Sequence, residues 1–187
     1  QELECNFNTS GETVIDPECM EWMLTNVCDP KYRTGFDRNF WIWEEFDPTC
    51  NYLMVADVAR GDGADYSTFH IIKLETLEIV GEYQGKPTLD MYANMLNQVG
   101  MEYGGCMLVV ENNNVGYSIL DKLIDLNYPS VYHSVKSTHE YIEQHHAETR
   151  ASVVPGFTTS MKTRPLIIAK LEEFIRNKLI KLYSLRT

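Results

Sequence analysis

The chain has 187 residues, 44% of them hydrophobic, with 16 basic against 27 acidic groups and a formal net charge of −11 at pH 7. That length supports one domain with its own core. So acidic a balance argues against binding nucleic acid by bulk charge alone, and no apolar run approaches the ~20 residues that span a bilayer. The acidity is uneven, however. Residues 136–187 are net basic, which leaves room for a local phosphate-contacting face. The polar opening "QELECNFNTSGE" does not read as a secretory leader. A chain running from Gln1 to Thr187 without an initiator methionine is expected to be a piece of something longer. Five cysteines form an odd number with no C-x-x-C pair, so reduced thiols in a cytosolic protein are expected rather than a zinc site or a disulfide framework.

Residues 1–50 read as a mixed lead-in, with a short helix in "VIDPECMEWML" that has Pro17 in its first turn. A strand is expected in "RNFWIWEEF". From residue 52 the pattern sharpens into "YLMVADV", "YSTFHIIKL" and "EIVGEYQ", three β-type runs separated by short polar breaks. "TLDMYANMLNQVGMEY" sets Leu89, Tyr92, Met95, Leu96 and Val99 on one helical face behind Thr88 as N-cap. "CMLVVE" is a short buried strand that ends on Glu111. "YSILDKLIDL" is a helix with Ile119, Leu120, Leu123 and Ile124 inward, and "SVYHSV" is a further strand. Residues 134–162 read as polar and irregular. "TRPLIIAKLEEFIRNKLI" resumes a helix, with Pro165 near its start and Ile168, Leu171 and Ile175 inward. An antiparallel meander followed by α/β crossovers is the element order of the ribonuclease H-like fold. By that analogy the chain is an α/β protein, a central mixed sheet of meander and parallel strands flanked by helices.

In that layout the fourth strand of residues 51–187 lies parallel to the first. Asp57 and Glu111 then face each other across one strand spacing, ~4.8 Å. Two bare carboxylates so close repel, and a divalent cation removes the penalty. All-oxygen donors favour Mg²⁺ or Mn²⁺ over zinc. Asp65, at the start of the next strand, can join directly or through water. The competing view is that aspartates in a Gly-rich turn bond their own backbone. That view is kept for Asp62. Glu111, which carries a charge straight off a buried run, resists it. "HEYIEQHH" (139–146) is not H-E-x-x-H and reads as a solvated polar segment. Trp22, Trp41 and Trp43 read as core or as an interface with a further domain, and Tyr66 as packing. Ser67 and Ser118 lack the partners of a hydrolase triad. No G-x-x-x-x-G-K-[ST] nucleotide cradle is present.

"DVARGDGADYS" resembles the first nuclease motif of the large terminase subunit of tailed bacteriophages, the T-even type in particular, through Asp57, Gly61, Asp65 and Tyr66. "VVENNNVG" is similar to the second motif through Glu111, Asn113 and Gly116. "GFTTSMKTRPLIIAKLEEFIRNKLIKLYSLRT" is similar to the segment that precedes the third, and "QELECNFNTSGETVI" to the stretch joining the family's ATPase and nuclease domains. The resemblance implies an endonuclease, residues 51–187, that cuts concatemeric viral DNA by two-metal phosphodiester hydrolysis. It implies Asp57 and Glu111 as principal ligands of Mg²⁺ or Mn²⁺, with Asp65 secondary. Lys162 and Arg164 match a basic stretch expected to contact DNA phosphates without reading sequence. The partners implied are double-stranded DNA, the portal protein, the small terminase subunit and the chain's own upstream ATPase domain. The setting implied is the host cytoplasm and, transiently, the procapsid portal, with no membrane.

The family's third catalytic aspartate comes after the "LRT" segment and is not within this sequence. Glu172 and Glu173 are rejected as substitutes, because the residues after them still resemble the segment before that acid. Weak metal binding and slow cleavage are therefore expected. The rival readings are a resolvase- or transposase-type nuclease of the same fold, an actin-like ATPase, and a non-catalytic module that docks DNA or portal.

Overall fold

The computed structural model describes residues 15–60, 63, 65–113, 115–135 and 153–186. Asp62, Gly61 and "HEYIEQHH" lie outside the described residues. In chain order the elements are α1 (Pro17–Thr25), β1 (Tyr32–Thr34), β2 (Phe40–Ile42), β3 (Tyr52–Asp57), β4 (Ser67–Lys73), β5 (Glu78–Gly85), α2 (Leu89–Glu102), β6 (Met107–Val110), α3 (Gly116–Asp125), β7 (His133–Val135), β8 (Val153–Pro155) and α4 (Thr163–Arg176). Six strands form one sheet in the order β1-β2-β5-β4-β3-β6. Neighbours are antiparallel except β3 and β6, which run parallel. This is the expected mixed sheet of the ribonuclease H-like fold.

Strand alternation sorts the side chains into two faces. Along β3, Tyr52, Met54 and Ala56 are buried, while Val55 and Asp57 emerge on the other side. β6 repeats the pattern with Leu108 and Val110 buried. Against the buried face pack Tyr92, Ala93, Leu96 and Val99 of α2 and Ile119, Leu120 and Leu123 of α3, in one core with Met54, Phe69 and Ile71. Thr88 caps α2 by accepting from Met91 N, an interaction worth about 1 kcal/mol. Each large apolar side chain buried contributes roughly 1.5–3 kcal/mol. Packing on the sheet, more than the cap, therefore holds α2 in place.

The opposite face is crossed by the row Val55, His70, Glu82 and Trp41, paired strand to strand. Glu82 is only 2% exposed, and a buried carboxylate needs partners. Arg186 Nε donates to its Oε1 at 2.8 Å and Ser184 Oγ at 3.2 Å. The Arg186 guanidinium lies 3.6 Å from the centre of the Trp41 ring. Lys181 adds backbone bonds to Leu77 and Ile79. The last residues thus strap across β5, and the Trp41 ring packs within this chain.

Several expectations need correction. Ile168 and Leu171 of α4 are 42% and 46% exposed, and Ile175 is the buried residue of that helix. Ile124, expected inward, is also exposed, at the last turn of α3. Tyr66 does not pack in the core. It is 49% exposed, with the Lys86 ammonium 4.6 Å from its ring. β1 was not expected, since Tyr32, Arg33 and Thr34 are all exposed and show no alternation. β8 falls in the stretch read as irregular. It is three residues long, ends on a proline, and is made by pairing with β7.

Candidate metal centre

Asp57 closes β3, and Glu111 is the first residue beyond β6. Their strands are direct neighbours in the sheet, with Ala56 opposite Val110. Glu111 N donates to Ala56 O at 3.3 Å, so the two acids leave the same end of the sheet side by side. Alternation puts both side chains on the face away from α2 and α3. The other edge of β6 is covered by residues 130–132 and 156–157, with Phe157 N donating to Val110 O at 2.8 Å. The backbone at Glu111 is therefore held from both sides.

Tyr92 fixes Asp57 from below. This fully buried side chain of α2 places its hydroxyl 2.6 Å from Thr68 O and 3.1 Å from Asp57 O, tying the end of β3 to the start of β4. Ser67 Oγ accepts from Ala59 N and closes the base of the loop between those strands. Lys86 Nζ donates to Gly63 O at 3.2 Å and holds the outer part of that loop. Asp65 comes next on the loop, exposed, at the approach to β4.

The electrostatics show which acids the fold has gathered. The Asp57 carboxyl is raised above its ordinary value, first by burial and then by the negative charges of Glu111 and Asp65, although Val58 N donates to its Oδ1. Among the described residues, no three His, Cys, Asp or Glu side chains close into a cage for a metal ion. The structure brings Asp57 and Glu111 together and sets Asp65 within electrostatic reach. The donors are oxygen only, and their mutual repulsion is what a hard divalent cation relieves, so the residue set fits Mg²⁺ or Mn²⁺.

The loop after Glu111 is shaped by a close approach. A Cβ on Gly116 would stand 1.8 Å from Glu111 O, so only glycine lets α3 begin so near the acid. Asn113 Nδ2 donates to Glu111 Oε1 at 2.8 Å. Lys162 and Arg164 are exposed at the start of α4, a few residues beyond Thr158, whose hydroxyl donates to Asn112 Oδ1. Glu172 and Glu173 are paired with Arg176 and Lys170 along α4. Tyr92 and Asn112, whose side chains bond backbone next to the two acids, carried no local signal beyond an apolar helix face and a run of asparagines.

No protein-family model matches the chain, and no curated protein matches it either. Among solved structures, the large terminase nuclease from thermophilic phage G20c with bound magnesium superposes with a TM-score of 0.65 at 16% identity, over 93% of this chain and 75% of that one. The same nuclease with bound cobalt gives 0.66, again at 16% identity, with the same coverage. The large terminase nuclease domain of Thermus phage P74-26 gives 0.62 at 16% identity, over 88% of this chain and 71% of that one. The chain therefore shares the ribonuclease H-like fold of large terminase nucleases.

Proposed function

We propose that this chain is the nuclease part of a tailed-bacteriophage large terminase subunit of the T-even type. It would be an endonuclease hydrolysing phosphodiester bonds of concatemeric viral DNA. The observation that carries the reading is the emergence of Asp57 and Glu111 side by side from adjacent parallel strands, in a fold shared with terminase nucleases. Asp57 and Glu111 would hold the metal, and Asp65 would join them directly or through water. Bound Mg²⁺ or Mn²⁺, two ions in a complete site, would supply an activated water and stabilise the leaving oxygen of the phosphodiester. Lys162 and Arg164 contact the DNA backbone independently of sequence. The domain would act beside its own upstream ATPase domain, the small subunit and the portal, in the host cytoplasm and at the procapsid.

Plasmid nicking in Mn²⁺ tests this. Slow, Mn²⁺-dependent nicking is expected of the chain, and none of Asp57→Ala or Glu111→Ala. Nicking by Asp57→Ala at the wild-type rate sinks the site assignment. DNA binding with no metal-dependent nicking in any of the three proteins points instead to a docking module.

A further inference from the structure

We propose that Asn112 is a positioning residue for the metal centre, holding Glu111 in place by locking the end of β6 onto the segment Pro155–Thr158. The inference rests on the reading of Glu111 as a metal ligand and adds a residue outside the motif positions Glu111, Asn113 and Gly116.

Asn112 is fully buried, one of few polar side chains in that state among the described residues. Its amide is used at both ends. Nδ2 donates to Pro155 O at 2.9 Å, and Oδ1 accepts from Thr158 Oγ1 at 2.9 Å. A carbonyl can only accept, so the amide nitrogen must face Pro155. The backbone joins in, with Asn112 N donating to Phe157 O at 2.9 Å. Between these contacts sits Gly156, in the left-handed region at φ +80. A Cβ there would lie 2.6 Å from Val110 O and 2.9 Å from Asn112 Cβ, so the segment approaches β6 more closely than a side chain allows.

The consequence falls on Glu111. β3 holds its amide through Ala56 O, but the chain leaves the sheet immediately afterwards. Asn113 beyond it is exposed, whereas Asn112 is anchored by three hydrogen bonds to the 155–158 segment. That anchor sets the direction in which the Glu111 backbone exits, and hence where its carboxylate stands beside Asp57. An apolar side chain of the same size would leave Pro155 O without its donor and free the exit.

The test is Mn²⁺ titration calorimetry on folded protein, with folding checked by circular dichroism. Asn112→Leu is expected to bind Mn²⁺ about 10-fold more weakly than wild type, the low end of what outer-shell partners contribute. Thr158→Val, which removes the hydroxyl that donates to Asn112 Oδ1, is expected to weaken it several-fold, with a smaller loss of melting temperature than Asn112→Leu. A side chain that served stability alone would lower the melting temperature and leave the Mn²⁺ affinity of the folded protein untouched. If Asn112→Leu does not fold, Thr158→Val decides. Wild-type Mn²⁺ affinity in the folded variants, alongside its loss in Asp57→Ala and Glu111→Ala, overturns this inference alone. Mn²⁺ binding indifferent to those two alanine variants, or absent from wild type, overturns the metal-site reading and this inference with it.

Discussion

Asp57 carries a cost in the metal-free protein. Burial and the charges of Glu111 and Asp65 raise its carboxyl above the ordinary 3.8. Between that value and the raised one, the folded chain binds more protons at this position than the unfolded chain. Stability from this group is therefore present at low pH and falls as pH rises through the window. Asp57→Asn removes the titration and keeps the acceptor for Val58 N. Without metal, the variant is expected to melt above wild type at pH 7, with the gap closing towards pH 4. Mn²⁺ should raise the melting temperature of wild type and not of the variant. A gap of constant size across pH would show that Asp57 carries no such penalty. At this scale the acids were legible in the sequence, because a charge ending a buried apolar run demands a partner. Tyr92 was legible only as part of an apolar face, since nothing local reveals that its hydroxyl reaches Thr68 O and Asp57 O.

Among the elements, α4 shows the limit of periodicity. Ile168, Leu171 and Ile175 share one helical face, yet only Ile175, at 3% exposure, is covered. Ile175→Ala is expected to cost about 2 kcal/mol or more, and Leu171→Ala no more than about 0.5 kcal/mol, the range of ordinary surface changes. Urea denaturation of both variants checks the order, and equal losses would mean that the whole face is buried in solution. β3 and β4 were readable because each alternates over six residues, and β5 as a β-type run between polar breaks, although it is buried almost throughout. β1 and β8 were not, as three residues carry no period and exist as strands only through their partners.

On the scale of the molecule, charge is distributed against the net balance. The acidic centre lies at the end of β3 and β6, while Lys162 and Arg164 stand exposed at the head of α4 without a side-chain cap. Positive charge there opposes the helix dipole, which favours a role outside the helix. Lys162→Ala with Arg164→Ala is expected to weaken binding to duplex DNA uniformly across sequences. The slope of log K against log salt should flatten by about 1–2. An unchanged slope, measured by fluorescence anisotropy at several salt concentrations, would make both residues ordinary surface charges.

Consecutive residues were enough to define the strands and helices of residues 52–125, the fold class, and the two acids at strand ends, because local periodicity and the cost of a buried charge are written in neighbouring positions. The pairing of β3 with β6 was reached from the sequence only through the element order of the fold. Long-range packing alone left most of the apolar face of α4 open and set Asn112 to clamp a segment more than forty positions away. Such contacts depend on which surfaces meet after the chain has closed, and each joins residues whose neighbours along the chain carry no trace of the partner.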